Sequence, residues 1–93
     1  MLNFEWDDAK AAANFRKHGI TFEQATIAFR DPFAVEWIDE RAVDGEERVI
    51  LLGMSGGQIL SVVYTERGER LRIISARRAT KYEQDNYYRE NAT

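Results

Sequence analysis

The 93-residue chain lacks cysteine and has one histidine, one proline and no long apolar run. Without cysteine it forms neither disulfide bonds nor thiolate metal sites, which fits a reducing cytoplasm. One histidine and scattered carboxylates, with no recognisable ligand spacing, offer a metal ion few ligands. The apolar runs are too short to cross a membrane, and the acidic N-terminus does not resemble a signal peptide. We therefore expect one cytoplasmic domain, residues 1–93, without metal or other cofactor.

The charges are unevenly distributed along the chain, whose net charge is −3. Residues 1–47 carry 11 acidic and 5 basic side chains, whereas residues 48–93 carry 5 acidic and 8 basic ones. Because charges more than about 10 Å away are screened at physiological salt, a locally basic region on an acidic protein can still bind an anion. The charge pattern alone favours the alternative, in which these arginines are solvated or paired with nearby glutamates.

The N-terminal half of the sequence predicts a short strand and two helices. Apolar and polar residues alternate over residues 2–6, which is typical of a strand. Asp7 occupies the N-cap position of the first helix, and Gly19 ends it. Thr21 and Gln24 form a capping box that begins the second helix.

The C-terminal half predicts four strands and a third helix. The strand patterns cover residues 33–37, 48–54, 59–65 and 71–76. A second capping box, Thr80 with Glu83, begins a helix that extends to about Tyr88. Two amphipathic helices before four consecutive strands predict an α+β fold, with the two N-terminal helices packed on a four-stranded antiparallel sheet and a C-terminal helix.

The side chains that remain for chemistry are arginine, lysine, histidine, glutamate and tyrosine. They suit metal-independent RNA cleavage, in which the ribose 2′-OH attacks the adjacent phosphate and the protein moves protons and stabilises the developing charge. Arginine stabilises that charge well, because its planar guanidinium contacts two phosphate oxygens.

His18 and the arginines near the third helix are the first candidates. His18 is a candidate for proton transfer because histidine as a residue type exchanges a proton readily near neutral pH, but its position at a helix C-terminus favours a capping role. Arg77 and Arg78 precede a helix N-terminus, where free N–H groups also attract an anion. The alternative for these arginines is pairing with Glu83 or Asp85.

Further basic and aromatic side chains are candidates for binding RNA. Arg67 lies in a turn one strand away and could reach the same end of the sheet, although its position alone favours surface solvation. Tyr82, Tyr87 and Tyr88 could stack on bases, and their helical spacing places at least one of them in the core.

Several stretches of the sequence, in order, resemble the BrnT toxin family. They are Phe4-Glu5-Trp6-Asp7 with Lys10 and Asn14; Lys17 to Phe22 with Ala25; Phe29 to Pro32; Gly45-Glu46 before Arg48; Val63-Tyr64-Thr65; and Arg72 to Arg77 with Ala79, Thr80, Glu83 and Tyr87. Each stretch is weak alone, but their order and spacing cover almost the whole chain.

The resemblance implies a RelE-like ribonuclease toxin of a type II toxin–antitoxin pair, which cleaves mRNA and inhibits translation when free. It also implies a BrnA-like antitoxin with a ribbon-helix-helix domain, in a 2:2 heterotetramer that contacts operator DNA mainly through the antitoxin. The alternative is a non-catalytic module that binds RNA or a partner on the same scaffold.

The residue analysis and the resemblance together give a predicted site. The predicted catalytic residues are His18, Arg72 and Arg77. The predicted RNA- or phosphate-binding residues are Lys17, Arg67, Arg78, Lys81 and Tyr82. The resemblance carries over Lys17, His18, Glu46, Arg72 and Arg77. With only three lysines, the chain departs from the lysine-rich sites of better-known RelE-type toxins.

Overall fold

The computed structural model describes residues 2–41 and 45–92. In chain order the elements are β1 (Asn3–Glu5), α1 (Asp8–His18), α2 (Phe22–Ala28), β2 (Val35–Asp39), β3 (Arg48–Ser55), β4 (Gln58–Arg67), β5 (Arg70–Arg78) and α3 (Lys81–Glu90). The strands form a sheet of order β1-β5-β4-β3-β2. The predicted α+β class and the predicted order of elements are confirmed.

The four predicted antiparallel strands are confirmed, but the prediction that they make up the whole sheet was wrong. Strands β2 to β5 are antiparallel neighbours, but β1 adds a fifth strand that runs parallel to β5, with Phe4 beside Leu71. A parallel neighbour requires a long connection, which the intervening helices and strands supply. The alternation at the N-terminus identifies a strand, but three residues carry no information about a partner that is distant in sequence.

Local capping interactions set the helix boundaries as predicted. Asp7 Oδ1 accepts a hydrogen bond of 3.0 Å from the Lys10 N–H at the start of α1. At α2 the Thr21 hydroxyl accepts from the Gln24 N–H, and the Gln24 side chain accepts from the Thr21 N–H. The capping box at the start of α3 is also complete. These bonds satisfy N–H groups that a helix cannot pair internally.

The boundaries of β2 differ from the prediction, because Asp31 holds a turn over residues 31–34. Asp31 Oδ1 accepts from the Phe33 N–H at 2.8 Å, and the Asp31 carbonyl accepts from the Ala34 N–H at 3.1 Å. The strand therefore begins at Val35, two residues later than predicted. Strands β3 and β4 form a hairpin, in which Gly56 and Gly57 make a two-residue turn with φ of 58° and 83°.

The pairing of β4 with β5 contains a β-bulge. Val63 lies opposite Ser75 and Tyr64 opposite Ile73, so Ile74 is an extra residue in β5. As a result Ile73 and Ala76, three residues apart, both lie in the core beneath the helices.

The main core lies between the sheet and the layer formed by α1 and α2. Its buried residues are Ile20, Phe22, Ala25, Ala28, Leu51, Leu60, Val62, Tyr64, Ile73 and Ala76. The buried residues of α2, Phe22, Ala25 and Ala28, are three positions apart and face the sheet. Ile27 lies outside this face and is 44% exposed. A smaller cluster on the other face of the sheet joins α3 to β3 and β4 through Leu52, Ile59, Ala79 and Tyr87.

The buried side chain of Asn14 joins α1 to the edge of β5. Its Nδ2 donates to the carbonyls of Ile20 at 3.0 Å and Ala76 at 2.8 Å, and its Oδ1 accepts from the Ala76 N–H at 3.1 Å. Strand β1 pairs with β5 only as far as Arg72, so the backbone of Ala76 lies beyond its reach. The Asn14 amide thus replaces a strand at this position and satisfies backbone groups that would otherwise be buried without partners.

We expect Asn14→Ala to lower the free energy of unfolding by about 2–4 kcal/mol, because it leaves buried backbone donors and acceptors unpaired. Urea denaturation followed by circular dichroism measures the change. The control is Asn86→Ala on α3, whose side-chain oxygen accepts one exposed hydrogen bond from Arg89. Equal stability of the two variants would contradict the bridging role of Asn14.

The ionisation of Asp31 makes the stability of the fold depend on pH in the acid range. Burial opposes ionisation, but hydrogen bonds from the Tyr87 hydroxyl and from the N–H groups of Met54 and Phe33 outweigh it and lower the pKa of Asp31 below its ordinary value of 3.8. A carboxyl with a lowered pKa in the folded state contributes stability above its unfolded pKa and loses it as the pH falls through the folded pKa.

We therefore expect Asp31→Asn to be less stable than the unmodified protein at pH 7, with the difference shrinking below about pH 4. Thermal melts at pH 7 and near pH 3, compared between the two proteins, measure this. A stability difference that is constant across this range would show that the Asp31 charge does not contribute.

Candidate functional site

Helices α1 and α2 cover one face of the sheet, whereas α3 covers part of the other. Helix α3 packs against Leu52 and Ile59 near one end of the strands. The remainder of that second face is partly open to solvent within the described residues, and the ring of Trp37 is 39% exposed. We call this remainder the open face. Its side chains are Trp37, Arg48, Ile50, Val63, Thr65, Arg72, Ser75 and Arg77.

The strand register places Arg72 and Arg77 together on the open face. Arg72 lies opposite Thr65 on β4, and Arg77 lies opposite Ser61. Paired residues of neighbouring strands point to the same face, and Thr65 and Ser61 are four residues apart on β4. This spacing separates the two arginine backbones by roughly 13 Å at about 3.3 Å per residue. The two side chains therefore lie far enough apart to contact two different positions of an extended ligand.

A row of polar and charged side chains crosses one end of the open face. Taken in strand order, the row consists of Asp39, Arg48, Thr65, Arg72 and Glu5. Arg72 Nη1 lies 2.8 Å from Glu5 Oε2, and Arg48 Nε lies 3.4 Å from Glu46 Oε1. Each of these arginines thus has a carboxylate partner that fixes its direction.

Arg77 forms a two-pronged ion pair with Glu83 at the start of α3. Its two terminal nitrogens lie 2.8 and 3.0 Å from the two Glu83 oxygens. Burial alone would raise the pKa of Glu83, but the hydrogen bonds from Arg77 and from the Thr80 N–H outweigh it and lower that pKa. Hydrogen bonding to Glu83 raises the pKa of Arg77. Both groups are therefore charged at neutral pH.

The alternative interpretation of Arg77, pairing with an acidic residue of α3, holds in this structure. Its partner is Glu83, whereas Asp85 lies 2.6 Å from the ammonium of Lys81. The same Glu83 carboxylate completes the capping box by accepting from the Thr80 N–H at 2.8 Å. The pair is not fully enclosed, because the Arg77 side chain remains 40% exposed. Arg77 is held in place and still accessible to a ligand.

The structure does not bring His18 together with the predicted catalytic arginines. His18 is the last residue of α1, which packs on the face of the sheet opposite to Arg72 and Arg77. Among the described residues, the hydrogen bonds and ion pairs of Arg72 and Arg77 go to other groups and do not involve His18. Lys17 is exposed on the same helix, in the same layer as His18.

The remaining predicted RNA-binding residues fall at the two ends of β5. Arg67 is exposed at the turn that precedes Arg70, on the side of Arg72. Arg78 lies at the other end, where its Nε donates to Gln58 Oε1 at 2.8 Å. Tyr82 is 75% exposed in the first turn of α3, beside Lys81. Of the three candidate stacking tyrosines, Tyr87 is the core residue that the spacing predicted, at 4% exposure.

Three side chains that were not predicted join the arginines in the folded structure. Trp37 and Arg48 share the open face through their pairing with β3 and β2, and Glu5 orients Arg72 from the edge strand. Alternation along the strand could have placed Trp37 and Val35 on one face. It could not have shown that this face also carries the arginines, because that depends on strand register.

Within residues 2–41 and 45–92, no three histidine, aspartate or glutamate side chains are grouped so that they could hold a metal ion. None of the helices in those residues has the length and apolar character needed to span a membrane.

Comparison with known proteins identifies the family. No curated protein matches the chain. The family model described as "Ribonuclease toxin, BrnT, of type II toxin-antitoxin system" matches residues 6–83. This match contains α1, α2, β2 to β5 and the first turn of α3, and thus Arg72, Arg77 and Glu83. The chain therefore belongs to the BrnT family of ribonuclease toxins of type II toxin–antitoxin systems.

Proposed function

We propose that this toxin cleaves mRNA without a metal ion and binds the RNA across the open face, thereby inhibiting translation. The observation that carries the proposal is the pair of oriented arginines, Arg72 and Arg77, on one accessible sheet face with an apolar floor between them. The floor consists of Trp37, Ile50 and Val63. The guanidinium groups on either side of this floor can bind phosphates, and the exposed Trp37 indole offers a surface on which a base can stack.

The proposed reaction needs no nucleophile from the protein. The ribose 2′ oxygen attacks the adjacent phosphorus, and the bond from phosphorus to the 5′ oxygen breaks. The departing 5′ oxygen takes a proton from solvent, so the products are a 2′,3′-cyclic phosphate and a 5′-hydroxyl. Arg77 stabilises the charge that develops on the phosphate oxygens. In the proposed reaction the Glu83 carboxylate, which contacts Arg77 and is ionised, accepts the proton of the 2′-hydroxyl.

His18 remains a hypothesis for proton transfer, and its location supports the alternative role. At the C-terminus of α1 a protonated imidazole interacts favourably with the helix dipole. In His18→Ala, an altered pH profile of cleavage would support proton transfer. An unchanged profile with a small loss of stability would support the capping role.

The proposed partner is a BrnA-like antitoxin with a ribbon-helix-helix domain, in a 2:2 complex that binds operator DNA mainly through the antitoxin. Membership of a type II toxin family supports a protein antitoxin. The proposed scaffold is RelE-like, and the two helices on one face of an antiparallel meander support it.

One observation favours a second candidate function, that of a non-catalytic module which binds RNA or a partner. The arginines of the open face, Arg48, Arg72 and Arg77, each already have a carboxylate partner. These pairs neutralise much of the positive charge that a phosphate would meet. Expression of the chain alone in bacteria separates the two functions, since growth arrest without shortened transcripts would favour the second.

We expect Arg77→Ala to lower the rate of RNA cleavage roughly a hundredfold, since it removes the donor to the developing charge, equivalent to about 3 kcal/mol in the transition state. The half-exposed ion pair with Glu83 contributes at most about 1 kcal/mol to folding, so the protein should remain folded. Cleavage of a labelled RNA and growth arrest after induction are the measurements.

The matched control is Arg89→Ala on the same helix, whose guanidinium contacts Asn86 at an exposed position. It should retain full activity. Circular dichroism melting checks that both variants fold. Full cleavage by a folded Arg77→Ala variant would remove Arg77 from the site and direct attention to Arg67 and Lys17.

We also expect cleavage to survive an excess of chelator, because the reaction as proposed uses only protein side chains and the 2′-hydroxyl. The assay compares product formation with and without EDTA, followed by back-addition of magnesium or manganese. Activity that disappears with chelator and returns with either ion would refute the metal-independent mechanism.

A further inference from the structure

Strand β2 is an outer strand of the sheet and has β3 as its strand neighbour. No hydrogen bond within the described residues joins the outer edge of Val35–Asp39 to another element. Such an edge presents a row of backbone donors and acceptors that can pair with a further strand.

Of the features that usually block an exposed edge, β2 has acidic side chains but lacks others. Its sequence, Val-Glu-Trp-Ile-Asp, contains no proline and no lysine, and its pairing with β3 runs without a bulge. Two large apolar side chains remain exposed on it, with Trp37 at 39% and Ile38 at 47%. Because alternate residues point to opposite faces, these two side chains offer an apolar contact on each face of an added strand.

Acidic side chains surround this edge. A recess of about 350 Å³ beside Ile38 is lined by Glu36, Glu47 and Glu66 together with apolar residues. On the opposite face a recess of about 490 Å³ beside Trp37 is lined by Glu36 and Glu90. An occupant with lysine or arginine would compensate these charges.

We propose that β2 is a docking edge for an extended segment of another protein, in which apolar residues alternate with lysine or arginine. The added strand pairs with the β2 backbone and places its apolar residues beside Trp37 and Ile38. A second copy of this chain is a poor occupant, because it would bring its own Glu36, Glu47 and Glu66 to an edge that is already acidic. The proposal concerns polypeptide binding and does not depend on RNA cleavage.

The test uses a fluorescent peptide in which valine alternates with lysine, and its binding is measured by anisotropy. Ile38→Lys places a like charge on the edge and should raise the Kd at least about tenfold. The matched control is Ile27→Lys, because Ile27 is 44% exposed on α2 and the net charge changes equally. This variant should bind as the unmodified protein does.

Backbone pairing provides a second readout. Hydrogen exchange at the β2 amides should slow when the peptide binds, and a peptide with glutamate in place of lysine should give no protection. Equal weakening by Ile38→Lys and Ile27→Lys, or exchange unchanged at β2, would overturn the proposal. So would self-association in sedimentation that Ile38→Lys abolishes, since the occupant would then be a second copy.

Discussion

The side-chain amide of Asn14 connects the helical layer to the strand that carries the site. Strand β5 lies between β1 and β4, and it presents Arg72 near one end and Arg77 near the other. Beyond the short β1, the backbone of β5 would face α1 with unpaired polar groups at Ala76. The Asn14 side chain of α1 pairs with these groups and with the Ile20 carbonyl, through one acceptor and two donor contacts. The position of β5, and hence the direction of its arginines, depends on this contact.

The Glu83 carboxylate couples local structure to the candidate site in a similar way. It completes the first turn of α3 by accepting from the Thr80 N–H, and it fixes the plane of the Arg77 guanidinium. A glutamate can cap a helix without contacting an arginine, and a carboxylate can orient an arginine without lying at the start of a helix. The two roles meet because β5 ends immediately before α3, so that strand and helix share one short connection.

Features determined by neighbours in sequence could be predicted, and those determined by strand register could not. The caps at Asp7, Thr21 and Thr80 depend on residues three positions away, and all three helix starts are confirmed. The pairing of β1 with β5 joins residues 67 positions apart, and no local pattern encodes it. For the same reason, the composition of the open face could not be predicted from local patterns. Arg72 and Arg77 were identified by residue type, but Trp37 joins them only when β2 to β5 are assembled.

The β-bulge at Ile74 has a consequence for the chemical character of the open face. Residues an odd number apart on a regular strand point to opposite sides, and Arg72 and Arg77 are five apart. The one extra residue between them reverses this parity, so both guanidinium groups emerge on the same side. If β5 kept all its residues but paired with β4 without the bulge, one arginine would point to the open face and the other beneath the helices. The backbone geometry at one residue, rather than the identity of any side chain, therefore lets β5 contribute two positive charges to this surface.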